Sequence, residues 1–252
     1  MKNVEPEKQD LIIGRNAVAE ALQSGREIDT VFLLRGEKNP ALTRLAAICR
    51  DKGGVVKEVD RKKLDAMCAG GNHQGVAAFV AAHTYSTVED ILNFAREKGE
   101  PPFVVVCDEL EDPHNLGAVI RTAEAAGVHG VIIPKRRSAS LNYTVAKTSA
   151  GALEYMRVAR VANLPAALEE LKANGCWVYG ADMDGTDYKQ TDFSGGVALV
   201  VGSEGKGIGR LVREKCDFIV SLPMKGKINS LNASVAAGIL MYEVASKRNL
   251  QD

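Results

Sequence analysis

No apolar run in this chain approaches the ~18 residues that a bilayer-spanning helix needs, and the opening MKNVEPEKQD has no apolar leader core. The expectation is a soluble, cytoplasmic protein with no membrane partner and no targeting segment. The five cysteines (Cys49, Cys68, Cys107, Cys176, Cys216) are odd in number and scattered, with no CxxC pair. That excludes a disulfide framework or a zinc site as the organising feature and fits a reducing compartment. The four histidines make no HExxH pattern, and the acidic residues among 108–112 lack the spacing of a calcium loop. No metal is expected. A charge of one sign is missing too: 32 basic residues balance 32 acidic ones. No global field attracts nucleic acid, so any such partner must be held by local patches. Two stand out: Arg61, Lys62 and Lys63, and then Lys135, Arg136 and Arg137, followed by Lys147. Each taken alone reads equally well as a solvated face.

What is present is ordinary globular material. The 252 residues, 46% hydrophobic and 25% charged, suffice for one large domain or two smaller ones. Through residue 81, short apolar runs alternate with helical patterns. Asn16 can cap a helix closed by Gly25, strands are expected over 30–34, 55–59 and 74–80, and helices over 40–50 and 61–68. Thr87 and Asp90 read as a capping box opening a helix that runs to about residue 98, and Gly99-Glu100-Pro101-Pro102 is a break. The domains expected are therefore 1–85, a linker over 86–101, and 102–252.

The second half reads as an α/β parallel sheet. The continuous apolar run 103–107 suggests a buried parallel strand, and strands over 131–133, 155–161, 177–181, 197–201 and 218–222 alternate with helices. The stretch 197–244 matters most. Two of its strands end in loops that carry Glu204, Ser230 and Asn232, and open α/β sheets bind ligands at the carboxyl ends of strands.

The turn GSEGKGIG (202–209) has neither the GxxxxGK[ST] spacing of a phosphate loop nor GxGxxG, and it stands too late in the chain to open a dinucleotide fold. A tight turn with positive φ would explain one glycine but not four around a glutamate. Asn115 alone reads as a helix N-cap, and Arg121 alone as a surface ion-pair partner.

Together the pieces carry a resemblance. DPHNLGAVIRTAEAAGVHGVIIP (112–134), LVVGSEGKGIGRL (199–211) and SLPMKGKINSLNASVAAG (221–238) stand in order. They resemble the motifs of the SpoU/TrmH branch of the SPOUT RNA methyltransferases, and within it the 23S rRNA guanosine-2′-O-methyltransferases of the RlmB type. IIGRNAVAEAL (12–22) and NHQGVAA (72–78) look like that family's L30e-like RNA-binding domain. The resemblance spans nearly the whole chain.

It implies a C-terminal domain tied in a trefoil knot around S-adenosylmethionine, held by backbone at Gly202, Leu222 and Leu231. It also implies a methyl transfer to a ribose 2′-hydroxyl with Arg121 as the central catalytic residue, assisted by Asn115, Glu204, Ser230 and Asn232. A guanidinium is a poor base because its pKa exceeds ~12, so Arg121 either takes the proton or stabilises alkoxide charge and grips a phosphate. A 23S rRNA substrate and a homodimer are implied as well. The small residues Ala233, Ala236, Ala237 and Gly238 in an apolar helix allow the close approach that a dimer needs. Two alternatives stay open on sequence: a tRNA substrate, or a non-catalytic RNA-binding or ribosome-assembly protein with a vestigial pocket.

Overall fold

A computed structural model of the chain describes residues 11–23, 28–80, 83–203, 205–227 and 230–249. The chain forms two compact units, Met1–Thr84 with Ser140–Tyr143, and Tyr85–Ala139 with Thr144–Asp252.

The first unit contains β1 (Leu11–Ile13), α1 (Arg15–Gln23), β2 (Ile28–Leu34), α2 (Pro40–Asp51), β3 (Val55–Val59), α3 (Arg61–Met67) and β4 (Val76–Val80). Its sheet has the order β1-β4-β2-β3, with β2 and β3 parallel and the other pairs antiparallel. Alternation along β2 decides which helix packs where. Val31 joins the cluster of Val18, Leu22, Leu42 and Leu45 from α1 and α2, while Phe32 joins Leu64 of α3. Caps set the helix starts: Asn39 accepts from the Ala41 N–H at 2.9 Å, and Asp60 from the Lys63 N–H at 2.8 Å. Asn16, expected to be a cap, lies inside α1, because the turn is made two residues earlier by Gly14 at φ +91°. Gly25 lies outside the described residues.

The second unit opens with α4 (Val88–Lys98). The expected capping box is present: Thr87 Oγ1 accepts from the Asp90 N–H, and the Asp90 carboxylate accepts from the Thr87 N–H. Val88, Ile91 and Leu92 enter the core of this unit, so the segment 86–101, expected as a linker, is built into it. There follow β5 (Phe103–Cys107), α5 (Pro113–Ala125), β6 (Gly130–Pro134), α6 (Tyr143–Thr148), β7 (Arg157–Val161), α7 (Leu164–Ala173), β8 (Cys176–Asp187), β9 (Gly196–Val201), α8 (Arg210–Arg213), β10 (Phe218–Ser221) and α9 (Ala233–Asn249).

The sheet has the order β10-β8-β9-β5-β6-β7 and every pair in it is parallel. Every residue of β5 and β9 is buried, as a strand covered on both faces requires. Val104, Val106, Ala198 and Val200 pack with residues of α4, α7 and α8 on one face. Helices α5 and α9 pack together, and they touch β6 and β9 respectively. Each fully buried valine stabilises the fold by roughly 1.5–3 kcal/mol relative to exposure. The chain leaves β5 toward β6 but leaves β9 toward β10, on the other side. Loops at the carboxyl ends of these two neighbours therefore diverge and open a crevice.

Candidate active site

The wall of that crevice starts where β9 stops. The loop after Val201 closes on itself: the Ser203 N–H donates to the Gly207 carbonyl at 3.2 Å and the Gly207 N–H donates to the Ser203 carbonyl at 3.0 Å. A Cβ on Gly202 would stand 2.1 Å from the Gly207 carbonyl carbon, and Gly207 itself has φ +63°. Both positions therefore need glycine. The far end of the loop is fixed from β5: the Gly209 N–H donates to Asp108 Oδ2 at 2.7 Å. Burial pushes the Asp108 carboxyl up, the Gly209 N–H opposes that, and neighbouring Glu109 adds to it. Glu204 lies outside the described residues.

The opposite wall comes from β8. Its register with β10 jumps from Ile219↔Gly180 to Val220↔Thr186, so residues 181–185 leave that ladder. Ala181, Asp182 and Met183 line the cavity from there. Arg213 donates to Asp182 and, at 2.9 Å, to Asp184, and these bonds hold its guanidinium above the ordinary value. Strand β10, the following loop and the start of α9 supply the rest. The result is a cavity of about 310 Å³ to which Gly202, Leu222, Ser230 and Leu231 all contribute, with Val201, Val220 and Leu240 as apolar walls. Exposed main chain at a glycine turn, apolar side walls and few charges suit a flat heterocycle recognised through its edges. Among the described residues, Lys206 and Asp182 are the charged ones on the lining.

Beside this cavity, Asn232 makes two connections. Its Oδ1 accepts from the N–H groups of Ser234 and Val235 at 2.9 and 3.2 Å, which caps α9. With the oxygen so engaged, Nδ2 donates to Asn115 Oδ1 at 2.8 Å. Asn115 is not the N-cap of its helix as expected. Asp112 is, accepting from the His114 N–H at 2.8 Å with Pro113 in the first turn, so Asn115 falls inside α5 and is buried. Arg121 departs from expectation as well. Six residues past Asn115 is about 120° around the helix, and Arg121 is exposed there, off the cavity lining. It makes no hydrogen bond or ion pair among the described residues.

Sequence reasoning takes Asp108 only as part of a solvated acidic loop, whereas it is buried, and does not single out Asp182. For Asp108 a signal existed, since it directly follows the apolar run 103–107 and so marks a strand's carboxyl end. Burial pushes the thiol of Cys107 up to about 12, and those of Cys176 and Cys216 to about 11, so none is a ready thiolate at neutral pH. Among the described residues no group of three or more His, Cys, Asp or Glu could hold a metal ion, and no helix is long and apolar enough to cross a membrane.

Comparison with known proteins places these features. The model of the SpoU rRNA Methylase family matches residues 102–242, and that described as RNA 2′-O ribose methyltransferase substrate binding matches residues 11–86. A Bacillus subtilis (strain 168) protein named as a TrmH family tRNA/rRNA methyltransferase is 50% identical over 244 residues, covering 96% of this chain and 98% of its own. A Staphylococcus aureus (strain MSSA476) protein of the same description is 46% identical over 240 residues, covering 95% and 96%. Among solved structures, the AdoMet-bound rRNA methyltransferase from Sinorhizobium meliloti aligns with a TM-score of 0.59 at 27% identity, over 94% of this chain and 87% of its own.

Proposed function

Since the chain belongs to the SpoU rRNA methylase family, we propose that it is a cytoplasmic homodimer that methylates a ribose 2′-hydroxyl, that of a guanosine in 23S rRNA, using S-adenosylmethionine. The observation that carries this reading is the meeting of Gly202, from the loop after β9, with Leu222, Ser230 and Leu231, from the loop after β10, on one cavity. The cavity suits the cofactor: its volume is of the right order for a nucleoside with a short tail, and the loop that walls it keeps its shape only with glycine at 202, where a Cβ would run into the Gly207 backbone. The Sinorhizobium meliloti relative is described with AdoMet bound.

When bound, S-adenosylmethionine supplies an electrophilic methyl group on a sulfonium. The protein's residues then hold the acceptor hydroxyl in line and manage its proton, work that alignment in a water-poor pocket can largely accomplish. Backbone at Gly202, Leu222 and Leu231 holds the cofactor, with no charged side chain needed against adenine. The linked amides of Asn115 and Asn232, together with Ser230 and Glu204, orient the ribose. Arg121, exposed and without a partner among the described residues, receives the substrate: it stabilises the developing alkoxide and grips the neighbouring phosphate. The N-terminal domain, residues 1–85, presents the RNA, and Arg61, Lys62 and Lys63 in the first turn of α3 offer it exposed charge.

The test is methyl transfer from labelled S-adenosylmethionine to purified 23S rRNA, with the site mapped by reverse-transcription stops. One guanosine modified at its 2′-oxygen is expected. Transfer to tRNA alone would move the substrate assignment, as the tRNA/rRNA description of the Bacillus relative allows. Absence of both cofactor binding and transfer would overturn the enzyme reading.

A further inference from the structure

Two non-glycine residues at neighbouring strand ends share a left-handed backbone and face each other. Glu109, two residues past β5, and Arg137, three past β6, each have φ +55°, and Arg137 Nη1 donates to Glu109 Oε1 at 2.8 Å. The two loops are also zipped by main chain, the Ala139 N–H donating to the Leu110 carbonyl at 2.8 Å. Stability does not account for this. An exposed ion pair contributes less than two left-handed side-chain-bearing residues cost, and glycine would remove that cost at both positions. Strain kept without a stability return marks a functional surface.

Its location says which surface. Strand β5 lies between β9 and β6, so the 135–139 loop stands on the same carboxyl edge as the cavity. Asp108, adjacent to Glu109, holds the cavity loop through Gly209. Lys135 and Arg136 next to Arg137 form no ion pair among the described residues, so two of the three cations stand without a paired acid, while Glu109 and Glu111 act on Arg137.

We propose that residues 135–137 grip the phosphodiester backbone of the RNA beside the nucleotide in the cavity, with Arg137 exchanging the Glu109 carboxylate for a phosphate oxygen. Glu109 is then a holder that keeps the guanidinium aimed until RNA arrives. This rests on the proposed RNA methyltransferase reading and adds the place of phosphate contact.

The full-length protein tests it through two variants that tolerate the local backbone or keep its shape. Arg137→Gly, which suits a positive φ, should raise the KM for RNA by about tenfold with kcat and S-adenosylmethionine affinity unchanged, and reduce the slope of log K against log salt by about 1. Glu109→Gln should act in the opposite direction, lowering the RNA KM, because the competing carboxylate is weakened. A tie that serves only the fold would make both variants lose thermal stability together and move neither the salt slope nor the KM. Either that pattern, or Arg137→Gly with wild-type RNA affinity, overturns the proposal. Wild-type protein that neither binds nor methylates RNA would instead sink the underlying reading.

Discussion

Asn232 and Asn115 are joined by a 2.8 Å hydrogen bond across 117 positions of sequence, and the same Asn232 side chain caps α9. One amide thus fixes where the C-terminal helix starts and what it touches on α5. The two duties separate by substitution. Asn232→Asp keeps the capping oxygen, and its charge suits a helix N-terminus, but it replaces the donor facing Asn115 with an acceptor. Methyl transfer should fall at least tenfold with stability near native. Asn232→Ala should lose activity and also about 1–2 kcal/mol of stability in urea melts. Equal stability losses for the two variants would show that the cap and the link are not separable.

Arg121 is exposed and has no hydrogen bond or ion pair among the described residues, so removing it should cost the fold little. Arg121→Ala should leave the melting temperature and S-adenosylmethionine binding unchanged while kcat drops by about 10²–10³, the scale of losing one donor to developing negative charge. Undiminished turnover would remove Arg121 from the reaction.

Gly202 tests the cradle. The Cβ of Gly202→Ala would meet the Gly207 carbonyl carbon at 2.1 Å and the Ile208 nitrogen at 2.5 Å, and backbone atoms of that peptide leave nothing soft to move. The loop must shift, so titration calorimetry should show S-adenosylmethionine affinity weakened by more than about tenfold, with overpacking costing roughly 1–3 kcal/mol of stability. Affinity equal to wild type would place the cofactor elsewhere.

These residues also show what the sequence made legible. The apolar runs in β5 and β9 could be read as buried parallel strands because nothing but burial on both faces explains an unbroken valine-rich run. Thr87 and Asp90 could be read because a capping box is local. Asn115 reads as a cap from sequence for a local reason: DPHN offers two capping side chains three residues apart, and the proline, which suits a helix's first position, gives the role to Asp112. The excursion at 181–185 follows from a register jump against β10, a pairing with no trace in either strand alone. Nor does local sequence announce left-handed residues that are not glycine, such as Glu109 and Arg137. The knot implied by the family resemblance is a property of the chain's path, to which periodicity is blind.

His129 should make the fold sensitive to acid. It is buried, its Nδ1 accepts from the Phe103 N–H at 2.9 Å, and its Nε2 lies 3.1 Å from Glu100. Burial holds its pKa below the ordinary 6.5, with Glu100 partly opposing. Below 6.5 the unfolded chain therefore takes up a proton that the folded chain resists, and stability falls with pH at a rate on the order of 1 kcal/mol per unit at most. The loss ends once the folded-state pKa is passed. His129→Gln should flatten urea-melt stability from pH 7 downward relative to wild type, and parallel curves would refute the assignment.

Helix α9 argues for a second copy. Ala237, Leu240, Met241 and Val244 are buried within the chain, while Val235, Ile239 and Tyr242 remain 50%, 39% and 55% exposed. Their spacings of four and three residues place them on one stripe, which a helix in water would carry as polar residues. Thr122 of α5 stands 3.6 Å from where a Cβ on Gly238 would lie, so the neighbouring Arg121 is near this side of α9. A twofold partner covering the stripe by the same patch on itself would bury it and keep Arg121 at the rim, where RNA can reach it. Sedimentation should give twice the 27.0 kDa chain mass at micromolar concentration. Ile239→Glu puts a charge where the two copies meet and should yield a folded monomer with impaired methyl transfer. A wild-type monomer, or an Ile239→Glu protein that still sediments as a dimer, would rule out this face as the interface.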